Sequence, residues 1–245
     1  MIRVTIWNEY RHERMNLAVA AIYPQGIHET IRSFLQDDEK YVIRTATLEE
    51  PGCGLSEELL DNTDVLIWWG HKAHREVTDE ATEMVVRHVL AGMGFVALHS
   101  AHESRPFIRL MGTTCSLKWR KSGVKERLWN VNPGHPIMKG IGNCFELEHV
   151  EMYSEPFDVP KPDDVLMISW FPSGEVFRSV CTWTRGRGRI VHIKPGHETF
   201  PIYQNENIQK LIRNAVDWAA PTIDIREVPH SQNVPPLETV TEIEC

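Results

Sequence analysis

The string "DVLIWW", residues 64–69, narrows the possible folds of this chain more than any other feature. Its apolar run, Val65 to Trp69, has no polar alternate to turn towards water. A strand of that kind has to be covered on both faces, which is the condition of a parallel sheet lying between helices. The neighbouring segments agree. "IRVTIW", "YVIRTATL" and "FVAL" are further strand candidates. Between them, Ile27, Ile31, Phe34 and Leu35 recur at helical spacing, with His28 at the start of that helix. "SEELLDN" reads as a short helix capped by Ser56, and "DEATEMVVRHVLAG" as a longer one after Thr78. "NEYRHERMNLAVAAIYPQG" reads as a loop. Strand and helix alternate in this way to about residue 112, as in a right-handed parallel α/β sheet.

The pattern then changes. "CSLKWRKSGVKERLWNV" predicts a hairpin turning at Ser122 and Gly123, followed by "GHPIMKGI" as a loop or short helix. "CFELEHVEMY", "DVLMISW" and "EVFRSVCTWTRGRGRIVHIKPG" add strands, the last two joined at the glycines of "RGRGR". "NIQKLIRNAVDWAA" closes the domain as an amphipathic helix. The expected fold is an open, mostly parallel, flavodoxin-like sheet with helices on both faces and antiparallel strands in its second half. Residues 1–220 form one domain on this reading. Residues 221–245 hold prolines and sparse apolar positions, which predicts an arm packed on this subunit or on a neighbour, with a frayed tail as the alternative; an arm on a neighbour makes a homo-oligomer the expectation.

Composition limits the function. A formal net charge of −8, with only short basic patches, argues against nucleic-acid or anionic-membrane partners. No apolar stretch approaches the ~20 residues that span a bilayer. The N-terminus enters a strand pattern without a signal-peptide layout. Five widely spaced cysteines without a C-x-x-C pair fit reduced thiols, and together these points lead to the expectation of a cytoplasmic protein. "GMGFVA" matches a dinucleotide fingerprint in letters but precedes a strand instead of following one, so it reads as a helix end and no nucleotide is expected.

The twelve histidines carry the functional signal. Ligands of open parallel sheets bind beyond the carboxyl ends of the strands. Asn8, Glu9 and His12 follow the first strand, His71 and His74 follow "DVLIWW", and His99, Ser100 and His102 follow "FVAL". His197 and Glu198 follow "RIVHIKPG", while "FELEHVEMY" offers Glu151 and Tyr153. Five segments therefore bring ionisable groups towards one rim, where imidazoles can act as acids, bases or metal ligands. His88 and His192 read as core or face residues and His149 as solvent-facing. Trp68 and Trp69 read as core, with Trp69 a candidate stacking wall for a sugar ring. No G-x-S-x-G elbow is present, and Cys53 does not follow a strand.

As an ordered set, "TIWNEYRHE", "AIYPQGIH", "LIWWGHKAH", "FVALHSAH", "GHPIMKGI" and "KPGHETFP" resemble the ThuA-like, trehalose-utilisation family over about residues 2–220. "EHVEMY" resembles that family's acidic-Glu-x-Tyr stretch, from which His149 and Val150 depart. The fold implied is similar to that of class I glutamine amidotransferases. By this resemblance "ALHSAH" is the strand-to-helix elbow, with His99 where the amidotransferase cysteine stands, and "PGHE" places His197 near the base position. Thiolate attack on glutamine is then absent at the elbow. The resemblance implies a role in the breakdown of trehalose and related disaccharides through keto-sugar intermediates.

Two classes of function follow. In the first, an enzyme acts on trehalose or a keto-disaccharide, with His99 and His197 as acid/base partners and Glu151 or Glu9 orienting an imidazole. Asn8, Glu9, His28, Trp69, Ser100 and Tyr153 would then contact substrate, and His71, His99 and His197 are candidate ligands for zinc or manganese. A metal-dependent hydrolase belongs to the same class. In the second, an amidotransferase-like scaffold binds sugar without turnover.

Overall fold

The computed structural model describes residues 1–222 and 234–238. In the first half, strands β1 (Ile2–Asn8), β2 (Tyr41–Thr47), β3 (Val65–Trp69) and β4 (Gly94–Leu98) alternate with helices. These include α3 (Ile27–Leu35), α4 (Glu57–Asp61), α5 (Asp79–Ala91) and α6 (Arg105–Met111). Strands β5 (Lys118–Asn130), β6 (Cys144–Ser154), β7 (Asp164–Trp170), β8 (Val176–Arg185) and β9 (Gly188–Ile193) follow, and α7 (Glu206–Ala219) closes the domain.

All nine strands form one sheet in the order β2-β1-β3-β4-β9-β8-β7-β5-β6. The first five in that order run parallel, and β8, β7, β5 and β6 continue the sheet antiparallel. Every residue of β3 is buried, as its unbroken apolar run requires. Helices α3 and α7 pack on each other and over β1, β2, β4 and β9, while α4, α5 and α6 form a second group with α5 against β9. Ser56 and Thr78 accept the backbone N–H groups of Leu59 and Ala81, the caps expected from their positions. Gly92 ends α5 at φ 135°, and a Cβ on Gly94 would lie 2.5 Å from the Ala219 carbonyl oxygen. The glycines of "GMG" thus serve a helix end and a close helix–strand contact, in keeping with the helix-end reading.

Two expectations are corrected. The segment read as a loop after β1 contains α1 (His12–Met15) and α2 (Leu17–Ile22). Helices of 4 and 6 residues are too short to display a period, although Asn16 caps the second through the Ala18 N–H. The hairpin predicted at Ser122 and Gly123 is a single strand, β5, whose register on β6 shifts between Arg120 and Val124. Gly123, at φ 59°, supplies an irregularity instead of a reversal. Most of the arm expected at residues 221–245, including His230 and Cys245, lies outside the described residues. Among the described residues no helix is long and apolar enough to cross a membrane.

Candidate active site

The carboxyl ends of β1, β3, β4 and β9 carry most of the rim, and β6 adds Glu151 and Tyr153. The conformation of each loop follows from backbone bonding. Glu9, directly after β1, accepts the N–H groups of His71, Lys72 and Ala73 at 2.7, 2.8 and 2.9 Å. Three successive amides pinned on one buried carboxylate hold the loop after β3 and aim the His71 side chain. Glu9, expected to orient an imidazole or to contact substrate, has backbone amides as its hydrogen-bond partners here.

His99 stands on the elbow after β4 at φ 51°, a left-handed conformation uncommon for a residue with a Cβ. Its Nδ1–H donates to the Lys194 carbonyl at 2.9 Å, and Nε2 faces Glu151 Oε2 at 3.2 Å. The Tyr153 ring stacks on the imidazole at 5.0 Å between centres. His197 Nδ1 accepts the Thr199 backbone N–H at 3.2 Å, so the neutral ring carries its proton on Nε2, 3.6 Å from Glu151 Oε1. His99, Glu151 and His197 thus form an inner group, and all three are buried.

A second group lies beside it. Glu198 Oε1 receives His71 Nδ1 at 2.7 Å and also His12 Nδ1. The His71 ring centre is 5.1 Å from that of His197 and 6.1 Å from that of His99. The side chains of His12 and His71 are 16% and 21% exposed, against 1% for His99 and 2% for His197, so the outer group is the one solvent reaches. A cavity of about 740 Å³ is lined by His71, Lys72, His74, Glu103 and Arg105. Another of about 650 Å³ is lined by Arg11, His12, Asn16 and Lys72. Both volumes fall within the range of small-molecule sites.

The electrostatics separate the groups further. Burial pushes His197 down to about 3, aided by the neighbouring His99, so its ring is neutral at pH 7. Burial opposes ionisation of Glu151, but the bond and charge of His99 hold it below the usual carboxylate range. Burial also opposes ionisation of Glu198, yet the bond and charge of His71 hold it below the usual carboxylate range. Burial would lower His71, but the bond and charge of Glu198 raise it above the ordinary imidazole value. The accessible ring is therefore the one that takes a proton most readily of the pair His71 and His197.

The remaining candidates are placed as follows. Asn8 donates to Glu13 Oε1 and to His28 Nδ1, at 2.7 and 2.9 Å, and its oxygen accepts the Tyr10 N–H. Asn8 and His28 therefore belong to a buried support beneath α3 and not to the imidazole cluster, which departs from their expected substrate contacts. Trp69 is wholly buried with its Nε1–H on the Gly196 carbonyl, so it offers no face to a sugar. Ser100 Oγ is buried and approaches the Tyr153 hydroxyl without forming a bond of ordinary geometry. The ligand set His71, His99, His197 is also redistributed: the donor atoms converge as His12–His71–Glu198 and as His99–Glu151–His197.

Sequence reasoning missed a buried ion pair. Lys194 Nζ lies 2.9 Å from Glu126 Oε2 and 2.6 Å from the Glu151 carbonyl oxygen, with both side chains at most 1% exposed. Its main chain and side chain thus hold His99 and Glu151 together. The available signal was a lysine ending an apolar strand in "IVHIK". His12 and Glu198 were seen at the rim, but not their joint hold on His71. Two of the thiols are poor nucleophiles, since burial pushes Cys115 up to about 11 and Cys181 up to about 12.

The architecture has counterparts among solved structures. A ThuA-like protein of Parabacteroides merdae superposes with a TM-score of 0.66 at 16% identity, over 91% of this chain and 92% of that one. One of Bacteroides uniformis does so at 0.66 and 17%, over 89% and 91%. A glutamine amidotransferase of Thermotoga maritima superposes at 0.52 and 12%, over 89% and 97%. Likenesses at these identities show the shared fold. No curated protein matches the chain in sequence. The family model described as trehalose utilisation, ThuA, matches residues 3–219, and the chain belongs to that family.

Proposed function

We propose that this member of the ThuA family is an enzyme that transfers a proton on a keto-disaccharide derived from trehalose. The observation that carries the reading is Glu198 Oε1 receiving two imidazoles, His12 and His71, where both rings meet cavities. A hydrogen next to a carbonyl is removed by a positioned base, and the oxyanion that develops needs a donor. His71, backed by ionised Glu198, is the base and acid that substrate meets. His12 is the second donor within reach. His99, Glu151 and His197 tune that pair from behind through the contacts of His197 with both carboxylates. Histidine at the elbow, with no low-pKa thiol beside it, removes the chemistry by which an amidotransferase attacks glutamine.

The test is exchange of substrate carbon-bound hydrogen with deuterated solvent, followed by NMR on trehalose and its keto derivatives. The wild type is expected to catalyse exchange and turnover on one of the keto derivatives. Saturable binding of each sugar with neither exchange nor turnover would instead make the chain a binding protein.

A further inference from the structure

We propose that His12, His71 and Glu198 form a site for one divalent transition-metal cation, and that the inner group does not. Their three donor atoms lie within 4.8 Å of one another. Two imidazoles and a carboxylate suit the borderline divalent ions, among them zinc and manganese. The state of Glu198 points the same way. It is fully buried, both imidazoles crowd onto Oε1, and Oε2 has no hydrogen-bond partner. Buried carboxylate oxygens are ordinarily satisfied, and an ion among these three side chains satisfies this one. The cavities at His12 and His71 give an ion its entry path and leave room for ligands beyond the three side chains.

The inner group also brings three donors within 4.8 Å, but its hydrogen bonding is wrong for an ion. A metal-bound imidazole donates its other N–H outward. His197 does the opposite, because a backbone amide, that of Thr199, donates to Nδ1 and leaves the proton on the nitrogen that faces Glu151, whereas the outer site has only a side-chain amide, Asn16 Nδ2, at 3.4 Å from His12 Nε2. A third convergence, Glu57, Asp61 and His88, sits at the surface with carboxylates 53% and 71% exposed, where water satisfies their oxygens. An ion in the outer site displaces the protons that bridge each Nδ1 to Glu198. Each ring is then neutral, with its proton on Nε2. Once bound, the ion would supply Lewis acidity to a sugar oxygen, and His71, with both ring nitrogens then occupied, would act as base only in the metal-free protein.

The experiment uses the full chain, stripped with chelator and titrated with Zn²⁺ or Mn²⁺ alone, with stoichiometry from mass spectrometry of the elements and affinity from calorimetry. The wild type is expected to take up one equivalent of at least one of the two ions. Glu198→Gln and His12→Asn are each expected to weaken that binding by tenfold or more. Glu151→Gln and Glu57→Gln are expected to retain it. His12→Asn keeps the test valid if the buried Glu198→Gln variant fails to fold, which circular dichroism reports. No stoichiometric uptake in the wild type overturns the proposal, as does uptake lost with Glu151→Gln or Glu57→Gln but kept with His12→Asn. The titration contains no sugar, so the metal site and the proton-transfer reading fail independently.

Discussion

The ring centres of His99 and His71 are only 6.1 Å apart, yet one side chain is 1% exposed and the other 21%. Both follow apolar strands of the same parallel sheet and both face a carboxylate. They differ in what lies over them. The antiparallel extension brings β6 across the elbow, so that Tyr153 stacks on His99 and Glu151 takes its Nε2. The ends of β1 and β3, where the strand order of the sheet reverses, remain open beside His12 and His71. Ligands of doubly wound sheets are expected at such a reversal. On the proposed function, the chemistry lies at the open strand end that carries His71, one strand over from the enclosed His99.

That contrast can be broken, most strongly by acid. Burial pushes His102 down to about 4, and His192 and His197 down to about 3. Unfolded, each ring would protonate near pH 6.5. Unfolding in acid therefore takes up protons, and stability falls as pH drops below 6.5 towards these folded values. His71, raised by Glu198 against burial, acts oppositely, as a single ring adding stability below pH 6.5 that is lost as pH rises through its folded value. Urea midpoints at pH 7 and 5 measure the balance, and equal midpoints would mean that the inner rings are not held neutral.

Next in size is Lys194→Met, which leaves Glu126 buried without its partner. A loss of about 3–5 kcal/mol of stability is expected, read by denaturant unfolding. The double variant Lys194→Met, Glu126→Leu should recover part of that loss. A single-variant loss below about 1 kcal/mol would show that the pair does not hold the inner group.

His71→Asn is expected to do the reverse, with little change in stability and about a hundredfold or greater loss of turnover. Full turnover in this variant would return the chemistry to His99. The smallest expected effect is that of Asn16→Asp. Asn16 Nδ2 is 3.4 Å from His12 Nε2, and its oxygen caps α2. Aspartate keeps the cap and offers His12 an acceptor for an Nε2 proton, so metal affinity should rise severalfold in the calorimetric titration. Weaker binding would argue against His12 as a ligand through Nδ1.

The fold was legible where a segment's own pattern determined its surroundings. The unbroken run Val65 to Trp69 required cover on both faces, and α3 and α7 showed their apolar stripes directly. The pattern was silent at α1 and α2, which are shorter than the period that would reveal them. It misled at Gly123, because a glycine among polar residues serves a bulge as well as a turn, and only the pairing of β5 with β6 distinguishes them.

At the site, the sequence by itself determined the residue types at the strand ends: histidine instead of cysteine at the elbow, Glu9 after β1, His71 after β3 and the His197–Glu198 pair after β9. Only the tertiary structure decided which imidazole shares which carboxylate, that Trp69 and Asn8 are buried, and that Lys194 meets Glu126 across 68 residues. The reason is physical. Which strand end carries a residue is a property of the local chain. Burial, protonation and hydrogen-bond partnership depend on β6 and the loops after β1 and β3 closing over the rim from distant parts of the chain.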